Sequence, residues 1–300
     1  MCVPIIYGSP KVAAYHRKAL DLNINLNLIN SASEASDKRA NIINCNSDEV
    51  KVDISQCTQI AGEAAFQALE KATEDLKKGQ IDAIVTAPIN KKNIQSDKFS
   101  FPGHTEYFEQ IFGKKGDALM LLVSDKARVA VATGHLPIAK VAQTLTKELI
   151  ANKIEILNKT LKKDFGIDRP RIAVLGLNPH SGDQGVIGKE EIEIIKPAIN
   201  EAMDKGIVCV GPLPSDGFFG SDDYTKFDAI LAMYHDQGLI PFKLLSMDSG
   251  VNFTAGLNIV RTSPDHGTAY DIAGQNIASE NSFRQALYRA IDIVKQRRDE

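Results

Sequence analysis

RVAVATGHLP (128–137), RIAVLGLNPHSG (171–182) and DAILAMYHDQG (228–238) share one plan: an apolar strand-like run, a small or polar turn residue, then a histidine. His135, His180 and His235 are half of the six histidines in the chain. If the three runs lie side by side, their imidazoles reach the same edge of one sheet. Three neutral imidazoles converging there would form a divalent-metal site with open coordination positions. Taken singly, each histidine can equally close a turn; the repetition of the context is what favours a shared role.

Five short apolar runs, these three among them, read as strands: IDAIVTAPI (81–89), DALMLLVSD (117–125), RVAVAT (128–133), RIAVLGL (171–177) and FDAILAMY (227–234). Amphipathic helices are predicted between them at 58–78 and 138–161, and at 188–206, where acids open the run and Lys-Gly closes it, the order the helix dipole favours. Such alternation predicts an α/β fold around a largely parallel sheet. In that architecture ligands bind beyond the carboxyl ends of strands, where the three histidines fall. The polar stretch SASEASDKRANIINCNSD (31–48) reads as a solvated surface excursion.

Bulk properties exclude several classes. The 300 residues carry a net charge of −3 and are 43% hydrophobic, so no basic surface argues for nucleic acid or an anionic membrane. No apolar stretch is long enough to span a bilayer, and the N-terminus lacks a signal-peptide pattern. Cys2, Cys45, Cys57 and Cys209 show no CxxC spacing, which predicts reduced thiols and a cytoplasmic location.

Polar residues at strand ends complete the candidate site. Asp236 and Gln237 follow His235, Asp183 and Gln184 follow His180, and Asp216 lies in GPLPSDGFF after an apolar run. Acids here can orient imidazoles, and Asp216 and Asp236 can also meet substrate or move protons. Lys243 (GLIPFKLL) and Arg261 (LNIVRTSPDHGT) are cations embedded among apolar residues, where a phosphate or carboxylate ligand would serve as partner. Asn252, His104, Thr105 and Lys91 sit in Gly- or Pro-marked turns and are further candidates. DHGTAYDIAGQNIAS (265–279) can wrap an adenosine, with Asp271 accepting both ribose hydroxyls and disfavouring a 2′-phosphate; no GxGxxG fingerprint is present.

The strings GHTEYF, GHLPI, GLNPHSGDQGVIGKEE, GPLPSD, AMYHDQGLIPFK, GVNFTAGL and RTSPDHGTAYDIAG resemble, in order from about residue 80 to 280, the 4-hydroxythreonine-4-phosphate dehydrogenase (PdxA) family. HGTAYDIAG is also similar to the adenosine-binding loop of isopropylmalate and isocitrate dehydrogenases. The resemblance implies two α/β domains with a cleft between them, isopropylmalate-dehydrogenase-like. Residues 1–105 with 240–300 would bind cofactor, and 106–239 would carry metal, substrate and dimer contacts. It implies His135, His180 and His235 as metal ligands drawn from both subunits of a homodimer, the ion being Zn, Co, Mn or Mg. It implies His104, Thr105, Lys243, Asn252 and Arg261 as substrate-binding, and His266, Gly267, Thr268 and Asp271 as NAD-binding. Asp216 and Asp236 match acids of the same pocket, and Lys243 and Asp216 are the candidate proton acceptors. The implied reaction is NAD-dependent oxidation of 4-phosphooxy-L-threonine, a small phosphorylated substrate, followed by decarboxylation to 3-amino-2-oxopropyl phosphate. The family opens with a strand and a Gly-Asp turn ahead of what resembles MCVPIIYGSP, so a sheet one strand short is expected. Three alternatives stay open: a dehydrogenase of erythronate or threonate 4-phosphate, a metal-dependent hydrolase or lyase that uses no nicotinamide, and a catalytically dead, dimeric interaction protein.

Overall fold

The computed structural model describes residues 2–46 and 50–299. In chain order the elements are β1 (Ile5–Gly8), α1 (Pro10–Ala19), β2 (Asn27–Ile29), β3 (Asn41–Asn44), α2 (Gln59–Lys77), β4 (Ala83–Val85), α3 (His104–Phe112), β5 (Leu119–Val123), β6 (Arg128–Val131), α4 (Ile138–Thr144) and α5 (Lys147–Phe165). There follow β7 (Arg171–Leu175), α6 (Lys196–Asp204), β8 (Val208–Leu213), α7 (Ser215–Gly220), β9 (Ala229–Ala232), α8 (His235–Ser246), β10 (Val251–Ala255), β11 (Val260–Pro264) and α9 (Asn281–Asp299). The fold is α/β. None of the described helices is long and apolar enough to cross a membrane.

The chain forms two compact units: Met1–Tyr107 with Arg261–Ile291, and Phe108–Val260 with Asp292–Glu300. A boundary at 239/240, expected from the resemblance, would cut through the continuous helix α8; Lys243 and Asn252 instead belong to the second unit.

In the first unit β1, β3 and β2 form a parallel sheet with β3 central, and β4 lies beside β11. Here the expectation of a solvated 31–48 excursion holds for most of 31–40, which is largely exposed, and fails from Asn41. Asn41–Asn44 is a strand, with Ile42 and Ile43 buried and Asn41 fully enclosed. Asn41 tolerates burial because its amide is satisfied: Oδ1 accepts from Asn27 Nδ2 and Ser36 N, and Nδ2 reaches the carbonyls of Pro4, Ser36 and Arg39. Ser47 and Asp48 of that stretch lie outside the described residues. Helix α2 begins where the Thr58 hydroxyl accepts from Ala61 N, and it buries Phe66, Leu69, Ala72 and Leu76 at helical spacing.

The second unit orders its strands β10-β5-β6-β9-β7-β8. The pairs β6–β9, β9–β7 and β7–β8 are parallel. The pairs β10–β5 and β5–β6 are antiparallel, so the sheet is mixed rather than largely parallel. The short Ser124–Ala127 connection leaves β5 and β6 no other pairing, because a parallel crossover needs many more residues. Leu122, Val129, Val131, Ala173, Leu175, Ile230, Phe218 and Phe242 make the core over which the histidine-bearing strands lie.

Two predicted helices are interrupted. The 138–161 run breaks at Leu145, which is extended and buried, and Thr146 recaps the chain by accepting from Leu149 N. The 188–206 run begins as a π-type turn over Glu191–Ile195 and becomes α-helical only at Lys196–Asp204. Pro197 offers no N–H to bond the carbonyl four residues back, so the winding changes just ahead of it.

Candidate active site

Because β6, β9 and β7 are adjacent and parallel, the chain leaves all three at the same end of the sheet. The exits of β6 and β9 are stitched together: Ala132 N donates to Ala232 O, and Thr133 donates from both N and Oγ1 to Met233 O, at 3.2 and 2.7 Å. His135 and His235 emerge two residues later on each side, with ring centroids 6.1 Å apart and planes tilted by 40°. Two imidazoles bound to one ion through nitrogen have centroids about 5–6 Å apart, given metal–nitrogen distances near 2 Å. At 6.1 Å this pair stands at the wide edge of that range. His235 Nδ1 shares a 2.7 Å hydrogen bond with Asp236 Oδ1, which orients the ring and leaves Nε2 for an ion.

His180 stands in a different setting. Residues His180 to Gln184 form a left-handed turn, with φ of 54, 51, 78, 42 and 55°. Only Gly182 among them adopts that conformation without steric cost. The turn is held from behind by Glu191, a buried carboxylate: Oε1 accepts from Leu177 N at 2.8 Å and Asn178 N at 2.7 Å, and Oε2 from Asn178 Nδ2 at 2.9 Å. The Ser181 hydroxyl is buried with no hydrogen-bond partner. Strain and an unsatisfied group in one short turn mark a segment shaped for something other than stability. Among the described residues of the single chain, no three His, Cys, Asp or Glu side chains gather into a metal-binding group. One chain thus presents the His135–His235 pair, with His180 outside it.

Asp216 lies in the first turn of α7 and is exposed. Its neighbour Ser215 is tied to α8 through Gln237 Nε2, at 2.7 Å. Lys243 is half-buried on α8, and Asn252 on β10 holds a buried Oδ1 without a hydrogen-bond partner.

In the first unit the anion-binding candidates assemble around Arg261. Its guanidinium is almost fully buried and donates from Nε and Nη2 to Thr86 Oγ1, at 3.1 and 2.6 Å. Burial pulls its pKa down to about 9, opposed by the charge of Glu106, so it remains cationic at neutral pH. His104 opens α3. Burial, then the charges of Arg261 and Lys91, push its imidazole down to about 3, so it is neutral near pH 7. The buried guanidinium, the Lys91 ammonium and the start of α3 bring positive charge to this spot, partly offset by the Glu106 carboxylate. Thr105 follows His104 in the same first turn.

The 265–279 loop is largely exposed, and the side chains of His266, Thr268 and Asp271 face solvent along with Gly267. Its course is set by left-handed Ala269 and Gly274, by Gln275 Nε2 donating to Asp271 O at 2.7 Å, and by Ile54, against which any Cβ at Gly274 would clash at 2.9 Å.

Four contributors here lie within the quoted strings, but nothing in the sequence shows what each one bonds to. Thr133, Glu191, Gln237 and Thr86 act through partners distant in sequence. Glu191 reads as an ordinary first-turn acid of a helix, and only its burial exposes its role.

The model of pyridoxal phosphate biosynthetic protein PdxA matches residues 1–290. A 4-hydroxythreonine-4-phosphate dehydrogenase from Bacteroides thetaiotaomicron is 60% identical over 300 residues, covering the whole chain and 82% of the relative. A relative from Oceanobacillus iheyensis, provisionally named a D-threonate 4-phosphate dehydrogenase, is 38% identical over 97% of this chain and 88% of its own length. Among solved structures, 4-hydroxythreonine-4-phosphate dehydrogenase from Klebsiella pneumoniae superposes with a TM-score of 0.83 at 36% identity, covering 97% of this chain and 88% of that one. With its full length matched and its strand-end histidines in place, this chain belongs to the PdxA family.

Proposed function

We propose that the protein is an NAD-dependent 4-hydroxythreonine-4-phosphate dehydrogenase of pyridoxal 5′-phosphate biosynthesis, working as a cytoplasmic homodimer. It oxidises 4-phosphooxy-L-threonine, and the resulting β-keto acid loses CO₂ to give 3-amino-2-oxopropyl phosphate. The observation that carries this reading is the His135–His235 pair at the ends of adjacent parallel strands, in a chain of this family.

Each unit has its own task. In the first, Arg261 supplies fixed positive charge for the substrate's phosphate or carboxylate, and the neutral His104 and the Thr105 hydroxyl supply hydrogen bonds without adding charge. The exposed 265–279 loop holds NAD, the hydride acceptor, with Asp271 on the ribose hydroxyls. In the second, His135 and His235, with His180 from the partner copy, hold a divalent ion. When bound, that ion supplies Lewis acidity to the substrate's oxygens. Asp236 keeps His235 in the ligating tautomer. Lys243 or Asp216 takes the hydroxyl proton, and Asn252 Oδ1 offers a desolvated acceptor to a substrate donor. Dimerisation is supported by an exposed apolar stripe of Ile240 and Leu244 on α8, the helix that His235 opens, and Met247 at its C-cap.

The test is an NADH assay on purified protein, metal-free and with Zn²⁺, Co²⁺, Mn²⁺ or Mg²⁺ added. Metal-dependent absorbance at 340 nm with 4-phosphooxy-L-threonine is expected. Absence of NADH with every metal overturns the reading. Faster turnover of D-threonate or erythronate 4-phosphate would favour the second reading, which rests on the Oceanobacillus relative.

A further inference from the structure

Three short hydrogen bonds converge on one side chain that no reading above assigns. Gln237 Oε1 accepts from Met233 N at 2.6 Å, while Nε2 donates to Gly176 O at 2.6 Å and to Ser215 Oγ at 2.7 Å. These partners come from three elements. Met233 follows β9 and stands two residues before His235; Gly176 follows β7 and opens the segment that carries His180; Ser215 begins α7 beside Asp216. Met233 and Gly176 are buried, and the Gln237 amide satisfies a backbone group at each.

The chemistry of the position is restrictive. Tyr234, at the N-cap of α8, makes no side-chain capping bond, and the third residue of the helix does that work instead. Gln237 reaches back to a backbone N–H as the glutamine of a capping box does. Its other end must simultaneously donate twice. Among side chains of this length only a neutral amide offers an acceptor and two donors. Glutamate keeps the acceptor but sets a charge against the Gly176 carbonyl. Asparagine is one methylene too short, and leucine satisfies nothing.

We propose that Gln237 is a positioning residue: one amide fixes the first turn of α8 against the exits of β9 and β7 and the start of α7, so that His235, Asp236 and Asp216 are held in one geometry. The proposal rests on the reading of His235 as a metal ligand. Gln237 touches neither ion nor substrate, and it acts on the spacing of the groups that do.

Gln237→Glu and Ser215→Ala, singly and together, test this in the full-length protein, with Co²⁺ as the probe. The readouts are the visible Co²⁺ spectrum, its dissociation constant by calorimetry, and kcat and KM separately. In Gln237→Glu the Co²⁺ affinity should fall at least about tenfold, as for groups that orient metal ligands. The ligand-field bands should shift, and kcat should fall more than KM. Ser215→Ala should do the same more weakly. The double variant should be worse than Gln237→Glu alone, because a glutamate at this position still accepts from the Ser215 hydroxyl and Ser215→Ala removes that remaining bond. If Gln237→Glu does not fold, Ser215→Ala carries the test, since it loses only the tie to α7. Wild-type Co²⁺ affinity, spectrum and kcat in a folded variant whose melting point alone has dropped overturn the proposal and leave the reading of the site intact. A wild-type protein that neither binds Co²⁺ nor forms NADH overturns both.

Discussion

Gly182→Ala is the sharpest probe of the turn that carries His180. Gly182 has φ of 78°, a region in which an L side chain costs about 1–2 kcal/mol. The added methyl would lie 2.6 Å from Glu191 Oε2 and 3.0 Å from Gly188 O, both inside contact distance. Glu191 has no simple escape. It is 2% exposed, and its other oxygen is pinned by the N–H groups of Leu177 and Asn178. Swinging Oε2 away sacrifices its bond from Asn178 Nδ2, and a hydrogen bond to a charged group is worth about 1.5–3 kcal/mol. Together these give a loss of about 3–5 kcal/mol. For a unit of this size that lowers the melting point by roughly 6–20 °C, at about 2–4 °C per kcal/mol. Differential scanning calorimetry of the variant against wild type measures it. Gly220→Ala, where a Cβ meets nothing within 4 Å, is the control and should shift the melting point little. A Gly182→Ala protein melting within 2 °C of wild type (about 0.5–1 kcal/mol) would refute the left-handed turn, the fixed Glu191, or both.

His104 is held near pKa 3 in the fold against about 6.5 when unfolded. Between those values the unfolded chain binds a proton that the native one refuses. Its contribution is therefore intact above pH 6.5 and is lost on acidification toward pH 3, at up to about 1.4 kcal/mol per pH unit. His104→Gln should flatten the fall in urea-unfolding stability between pH 6.5 and 5, and an unchanged slope would refute the burial argument. Arg261→Lys keeps the charge but not the two-pronged bond to Thr86, and should raise KM for the phosphorylated substrate about tenfold or more, about 1.4 kcal/mol of binding. An unaltered KM removes Arg261 from anion capture. Asp271→Ala should weaken NAD about tenfold in fluorescence titration while leaving substrate KM alone; equal NAD affinity removes the 265–279 loop from the cofactor site.

Much of the scaffold was legible because its signals are local. The apolar runs that became β5, β6, β7 and β9 end in the residues that terminate them, and α2 shows both its cap and its buried stripe. What stayed hidden depends on distant partners. Asn41 looks like loop until the carbonyl of Pro4 and the amide of Asn27 are placed around it. Glu191 reaches back to Leu177 and Asn178, Gln237 to Gly176 across 61 residues, and Arg261 to Thr86 across 175. None of these pairs leaves a periodic trace. The break at Leu145 was equally opaque, since a leucine continues a helical stripe as readily as it ends one by packing inward.

The amino-acid order alone determined that three apolar runs each deliver a histidine past a strand end, because side-chain period and turn chemistry act over a few residues. Tertiary structure alone decided that β6, β9 and β7 are neighbours in that order, which sets two of those rings 6.1 Å apart and the third on a strained turn. Strand neighbours a hundred residues apart are selected by how the whole core packs, and no local pattern encodes that choice.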